Sequence, residues 1–178
     1  MPARKSATAQ RRSASNVKES GVEMNQAKPA AESLYLEDLK VGQTFRSATY
    51  QMEEARIKAF AAEFDPQPFH LDEAAARASL FGGLAASGWH TAAVAMRLLV
   101  TGGLPFANGL IGLGGEIAWP SPTRPGDTLQ VESEIVEIAP SRSKPDRGIV
   151  TVKSVTRNQH GTPVYVMTSK ILAFRRGS

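Results

Sequence analysis

FGGLAASGWHTAAVAMRLLVTGGLP, residues 81 to 105, is the stretch on which the fold turns. From Gly88 to Val100 its only charge is Arg97, and small or large apolar residues fill the other faces. That pattern predicts a helix buried almost all round. Ser87 stands where an N-cap is needed, Gly102 and Gly103 where a helix closes, and Pro105 where it cannot continue. A single buried helix of this kind needs a sheet to wrap it.

The rest of the chain supplies that sheet. GLIGLGGEIAWPSP, DTLQVESEIVEIAPS, GIVTVKSVTRNQ and PVYVMTSKILAFR are rich in β-branched and aromatic residues and are bounded by Gly, Pro, Asn or Asp. In the second, Leu129, Val131, Ser133 and Ile135 fall on one face and Gln130, Glu132 and Glu134 on the other. Arg124 to Asp127 (RPGD) reads as a Pro-Gly turn and Asn158 to Gly161 (NQHG) as a hairpin loop. A further strand is expected around Thr44 to Tyr50, which makes a five-stranded antiparallel sheet around one long helix, an α+β architecture.

Between that first strand and the central helix lies FAAEFDPQPFHLDEAAARA, residues 60 to 78. Ile57, Phe60, Ala61 and Phe64 have helical spacing, and Pro66 disfavours the α conformation at Asp65, so the helix should stop there. Pro68 acts on Gln67 in the same way, and the chain from Asp65 to Phe69 is expected to run extended or turned. A new helix should start near Leu71 with Asp72 as N-cap. Asp65 and His70 thus lie on a stiffened connector between helices.

Composition bounds the remaining possibilities. A chain of 178 residues, 42% hydrophobic and 21% charged, suits one domain with an ordinary core. It has no cysteine and three histidines, so thiolate sites and disulfides are excluded and no metal or other cofactor is expected. No apolar run reaches the ~20 residues that cross a bilayer. The net charge of +4 does not mark a nucleic-acid surface, because residues 1–23 carry +3 of it and the remainder only +1. Those residues, rich in Ser, Ala and Arg and without apolar period, lack the core of a secretory signal, while Glu19 and Glu23 argue against a transit peptide. The expected division is a basic, disordered tail over 1–33 and a single domain over 34–178. Met24 is an alternative start of translation. Absence of cysteine and of a signal suggests the cytoplasm.

The order of strand, helix, DPQPFHLD, a central helix opening with SGWHTA, then RPGDTL before the last hairpins resembles the MaoC-like hydratases and dehydratases of the hotdog superfamily. The resemblance covers roughly residues 34 to 176. It implies reversible addition of water to a trans-enoyl thioester, on coenzyme A or an acyl carrier, to give a 3-hydroxyacyl thioester. By position, Asp65 and His70 correspond to the catalytic pair that holds and activates the water, and the Gly88 backbone N–H to the donor that receives the thioester oxygen. Ser87 and Trp89, on either side of it, are expected beside the substrate. Helix-start N–H groups suit such an oxygen because they are unpaired and sit at the positive end of the dipole. Phe64 and Gln67 stand where many members have Gly and Asn, and Ala93 and Met96 where some have a Ser; these differences bear on the pocket more than on the acid–histidine pair.

Other residues carry plainer expectations. His90 reads as a satisfied core histidine, His160 as a solvated loop residue, Trp119 as core or pocket lining, and Arg97 as paired with a buried acid or reaching outward. A hotdog thioesterase, using a carboxylate on the central helix, is an alternative function, but no Asp or Glu lies between Gly88 and Gly103. A non-catalytic subunit of a heteromeric dehydratase is another, against which both Asp65 and His70 stand. Open sheet edges predict at least a homodimer.

Overall fold

The computed structural model of the protein describes residues 33–177. The expected tail, Ser33 apart, and the alternative start at Met24 lie outside the described residues.

A short turn of 3₁₀ helix at Leu36–Asp38 leads into strand β1 (Thr44–Gln51) and helix α1 (Glu54–Phe64). Helix α1 stops where Pro66 requires it to, with Asp65 as its C-cap. Short helices α2 (Pro68–Leu71) and α3 (Glu73–Arg77) follow. Asp72 caps α3 as expected, its carboxylate accepting from the Ala75 N–H at 2.7 Å. The central helix α4 (Gly88–Leu98) continues as a wider π-type turn over Leu99–Gly103. Strands β2 (Ile111–Ala118), β3 (Thr128–Pro140), β4 (Arg147–Arg157) and β5 (Pro163–Phe174) complete the chain.

The strands form one antiparallel sheet in the order β1-β3-β4-β5-β2. Val94, Ala95, Leu98 and Leu99 of the helical layer meet Leu129, Val131, Ile135, Val150, Val152, Val164 and Ile171 of the sheet in one core. Alternation along β3 is as read, with Leu129, Val131, Ser133 and Ile135 buried, until a register shift between Ile135 and Glu137 interrupts it. Ser133, the polar member of that face, is satisfied by the Ser154 hydroxyl at 2.8 Å. The RPGD turn also forms: Gly126 has φ 84°, the left-handed conformation that the third position of a Pro-Gly turn demands. A five-stranded sheet wrapped on one helix in this order is the hotdog fold.

Two local expectations need correction. Gln67 is extended (φ −83°, ψ 139°), but Phe69 and His70 lie in α2 rather than in extended chain. Pro68 restricts the residue before it, while at the first helical position its missing N–H costs nothing. The central helix is not buried on all sides either. Trp89, Ala93, Met96 and Val100, spaced i, i+4, i+7, i+11, remain exposed. Apolar periodicity records which residues avoid water, and a single sheet reaches only part of a helix's circumference. Arg97 lies exposed on the same side.

Candidate active site

The end of α1, helix α2 and the N-terminus of α4 converge on Asp65 and His70. His70 is buried, 4% exposed, and its Nδ1 lies 2.8 Å from the Ala85 carbonyl oxygen. A carbonyl only accepts, so Nδ1 carries the hydrogen. Nε2 of the neutral ring is therefore left with a free lone pair. It faces Asp65 Oδ2 at 3.4 Å.

Asp65 is held by two side chains. The Gln67 side-chain amide donates to Oδ1 at 2.7 Å, and the Ser87 hydroxyl donates to Oδ2 at 2.6 Å. Burial alone would raise its pKa, but the hydrogen bonds from Ser87 and Gln67, with the neighbouring His70, together outweigh it and hold the carboxyl below its usual range. With the carboxylate ionised and the imidazole neutral, Oδ2 and Nε2 are two acceptors facing each other with no proton between them. A water molecule has two O–H groups, and one placed beside this pair can donate to both.

Ser87 links this pair to the central helix. Fully buried, it caps α4 by accepting from the Trp89 N–H at 3.2 Å while donating to Asp65. Its hydroxyl thus orients the carboxylate instead of facing the cleft. Gly88 is the first residue of the helix, and its N–H has no intrahelical acceptor. The indole of Trp119 donates from Nε1 to the Gly88 carbonyl oxygen at 2.8 Å. Its ring also lies where a Gly88 side chain would be, since a Cβ there would come within 2.9 Å of it. Trp89, 59% exposed, packs edge-to-face on Trp119 with centroids 5.3 Å apart.

The remaining histidines do not join the site. His90 stacks on Phe60 at 4.7 Å with the rings 7° from parallel, and its buried Nδ1 has no hydrogen-bond partner. It is a core histidine as expected, but not a satisfied one. Burial, assisted by the charge of Arg56, pushes its pKa down, so it is neutral at pH 7. His160 is exposed in the loop between β4 and β5, beside the Gln159 amide. Among the described residues no group of three or more His, Asp or Glu is placed to hold a metal ion. No described helix is long and apolar enough to cross a membrane.

A cavity of about 250 Å³ lies farther along α4, walled by Met96, Leu99, Leu104, Ile117, Met167 and Ile171 among others. Sequence reasoning missed the roles of Gln67, Trp119 and Arg124. Only Gln67 gave a local signal, an amide two residues beyond the acid, because the other contacts join positions more than 30 apart.

A hotdog fold carrying an acid–histidine pair, the histidine buried and the acid partly so, beside the N-terminus of its central helix defines the class. The chain belongs to the MaoC-like family: the family model for the MaoC like domain matches residues 38–158. Among solved structures it is similar to a MaoC-like dehydratase from Rhodospirillum rubrum, with 64% identity, TM-score 0.81, and 82% of this chain and 100% of that one covered. It is also similar to the R-hydratase PhaJ1 of Pseudomonas aeruginosa, with 30% identity, TM-score 0.66, and 81% and 88% covered. An uncharacterized protein of Bacillus subtilis, YdeM, is 31% identical over 131 residues, 73% of this chain and 92% of that protein.

Proposed function

We propose that this protein is an R-specific enoyl-thioester hydratase, adding water reversibly to a trans-2-enoyl group carried on coenzyme A or an acyl carrier. The observation that carries the reading is the pair Asp65 Oδ2 and His70 Nε2, 3.4 Å apart beside the start of α4. In the hydration direction the water oxygen bonds to C3 while one of its protons passes to His70 Nε2. The electron pair displaced from the double bond moves through C2 to the thioester oxygen, which the Gly88 N–H receives. The proton on Nε2 then returns to C2, leaving the imidazole neutral and one water consumed. Asp65 holds the second water hydrogen and steadies the transient imidazolium. Ser87 serves by orienting Asp65, and Trp89 flanks the thioester. The apolar cavity beyond Met96 would take the acyl tail.

The family assignment supports a hydro-lyase reaction, and the R-hydratase similarity favours this direction and stereochemistry. The test is a panel of trans-2-enoyl-CoA thioesters of increasing chain length, followed by loss of the conjugated absorbance, with chiral analysis of the product. Hydration of at least one member to the 3R alcohol is expected. Release of free thiol from saturated acyl-CoA would point to a thioesterase instead, and no reaction at all to a non-catalytic subunit.

The working unit is a homodimer. Strand β2 ends the sheet with all eight of its residues exposed, Ile111, Leu113 and Ile117 among them. Met96, on the open stripe of Trp89, Met96 and Val100, lines one cavity with Gly112 and Ile117 of β2. Pairing of β2 with its counterpart in a second copy would satisfy the edge and cover this apolar surface together. Sedimentation equilibrium at micromolar concentration should give twice the chain mass of 19.1 kDa, and a monomer mass would rule the dimer out.

A further inference from the structure

The Ala85 carbonyl that selects the tautomer of His70 lies in a loop, residues 79 to 87, between α3 and α4. A loop carbonyl is a reliable partner only if its own peptide is held. Here two successive peptides are held from the same place, Thr123 and Arg124 at the entry to the RPGD turn. The peptide joining Leu84 to Ala85 has its carbonyl bonded by Arg124 Nη1 at 3.1 Å, and its N–H directed at the Phe69 carbonyl at 3.4 Å. The next peptide, which bears the Ala85 carbonyl, has its N–H bonded to the Thr123 carbonyl at 2.9 Å.

Arg124 extends its grip upstream. Its Nη1 also donates to the Gly83 carbonyl at 2.6 Å, and Nη2 donates to the Phe81 carbonyl. One planar guanidinium thus gathers the carbonyls of Phe81, Gly83 and Leu84, a task that its fork of donors suits and a lysine ammonium does not. The turn that presents Arg124 is itself braced, the Arg124 N–H bonding to Asp127 Oδ2 at 2.8 Å. Phe81, at the start of the gathered segment, packs on Phe69 at 5.1 Å and lies 6.1 Å from the His70 ring. No contact with reacting atoms is involved. Everything Arg124 does reaches the site through the position of the 81–85 backbone.

We propose that Arg124 is a positioning residue for His70: by gathering the Phe81, Gly83 and Leu84 carbonyls it holds the Ala85 carbonyl in place, and so keeps the His70 proton on Nδ1 and the Nε2 lone pair toward Asp65. The inference rests on the reading of His70 as the proton-transfer group, yet its first readout is independent of activity. Two-bond proton–nitrogen correlation spectra at pH 8 distinguish the tautomers. With three histidines in the chain, the His70 signal is identified by its loss in His70→Gln.

Wild-type protein should show His70 in the Nδ1–H form alone, and Arg124→Lys a mixture of both forms. In the same variant kcat on trans-2-butenoyl-CoA or trans-2-octenoyl-CoA, whichever the wild type turns over faster, should fall by up to about 100-fold. KM should stay within about twofold, because the substrate touches none of the gathered carbonyls. A folded variant with His70 still entirely Nδ1–H overturns the proposal, whatever its rate. If the lysine variant does not fold, Arg124→Gln is read in the same way. If neither folds, Arg124 is a staple of the fold and the positioning role is lost. If the wild type hydrates neither thioester, the proposed function fails while the tautomer spectra alone decide the role of Arg124.

Discussion

Asp65→Asn and His70→Ala should each slow hydration by roughly 100- to 10,000-fold, the cost of losing a positioned acid or base. The double variant should fall far short of the product of the two losses, because both groups act on one water. Stability separates the two changes. An Asn at position 65 still offers an oxygen to the Ser87 hydroxyl, so at pH 7 melting should fall only by the part of the stability that the carboxylate's charge supplies. His70 is 4% exposed and bonded to Ala85, and its removal leaves a buried carbonyl unpaired, at a cost of about 1–3 kcal/mol. Because the folded protein holds the Asp65 pKa below its ordinary value of 3.8, the stability that its ionisation contributes is present above that pH. It is lost as pH falls through the lower folded value. Asp65→Asn should therefore flatten part of the acid unfolding curve. Full activity in both single variants, on a thioester that the wild type hydrates, would remove the pair from the mechanism.

Gly88→Ala is the second large effect expected. Although alanine favours helix and Gly88 begins one, the added Cβ would stand 2.9 Å from the Trp119 ring. Either the ring or the first turn of α4 must shift, at the cost of about 1–3 kcal/mol typical of overpacking. A displaced Gly88 N–H no longer meets the thioester oxygen, and loss of such a donor costs roughly 100- to 1,000-fold in kcat. Combining Gly88→Ala with Trp119→Leu removes the obstructing ring, and stability should recover relative to Gly88→Ala alone. The space that a Gly88 side chain would take is filled by Trp119, and a double variant no more stable than the single one would show the contact to be without consequence.

Much of this protein was legible in its sequence for a local reason. Helix stops, caps and turns depend on residues a few positions apart, so Pro66 ends α1, Asp72 and Ser87 cap helices and Gly126 turns the chain at the places read from the sequence. The alternation of β3 was visible because a sheet with one buried face repeats every two residues. Asp65 and His70 could be picked out as a pair because of the resemblance to the MaoC-like family; their five-residue separation, on a chain stiffened by Pro66 and Pro68, permits the pairing but does not by itself require it.

What surrounds that pair was decided only in three dimensions. Ser87 reaches Asp65 across 22 positions, Trp119 reaches Gly88 across 31, and Arg124 reaches the 81–84 loop across some 40. None of these leaves a periodic trace, because a hydrogen bond between distant segments depends on sheet order and strand register rather than on spacing along the chain. The same reason explains the misjudged central helix. Its sequence by itself determined that Trp89, Met96 and Val100 shun water, but which of its faces the sheet covers, and which it leaves open, followed from the strand order β1-β3-β4-β5-β2.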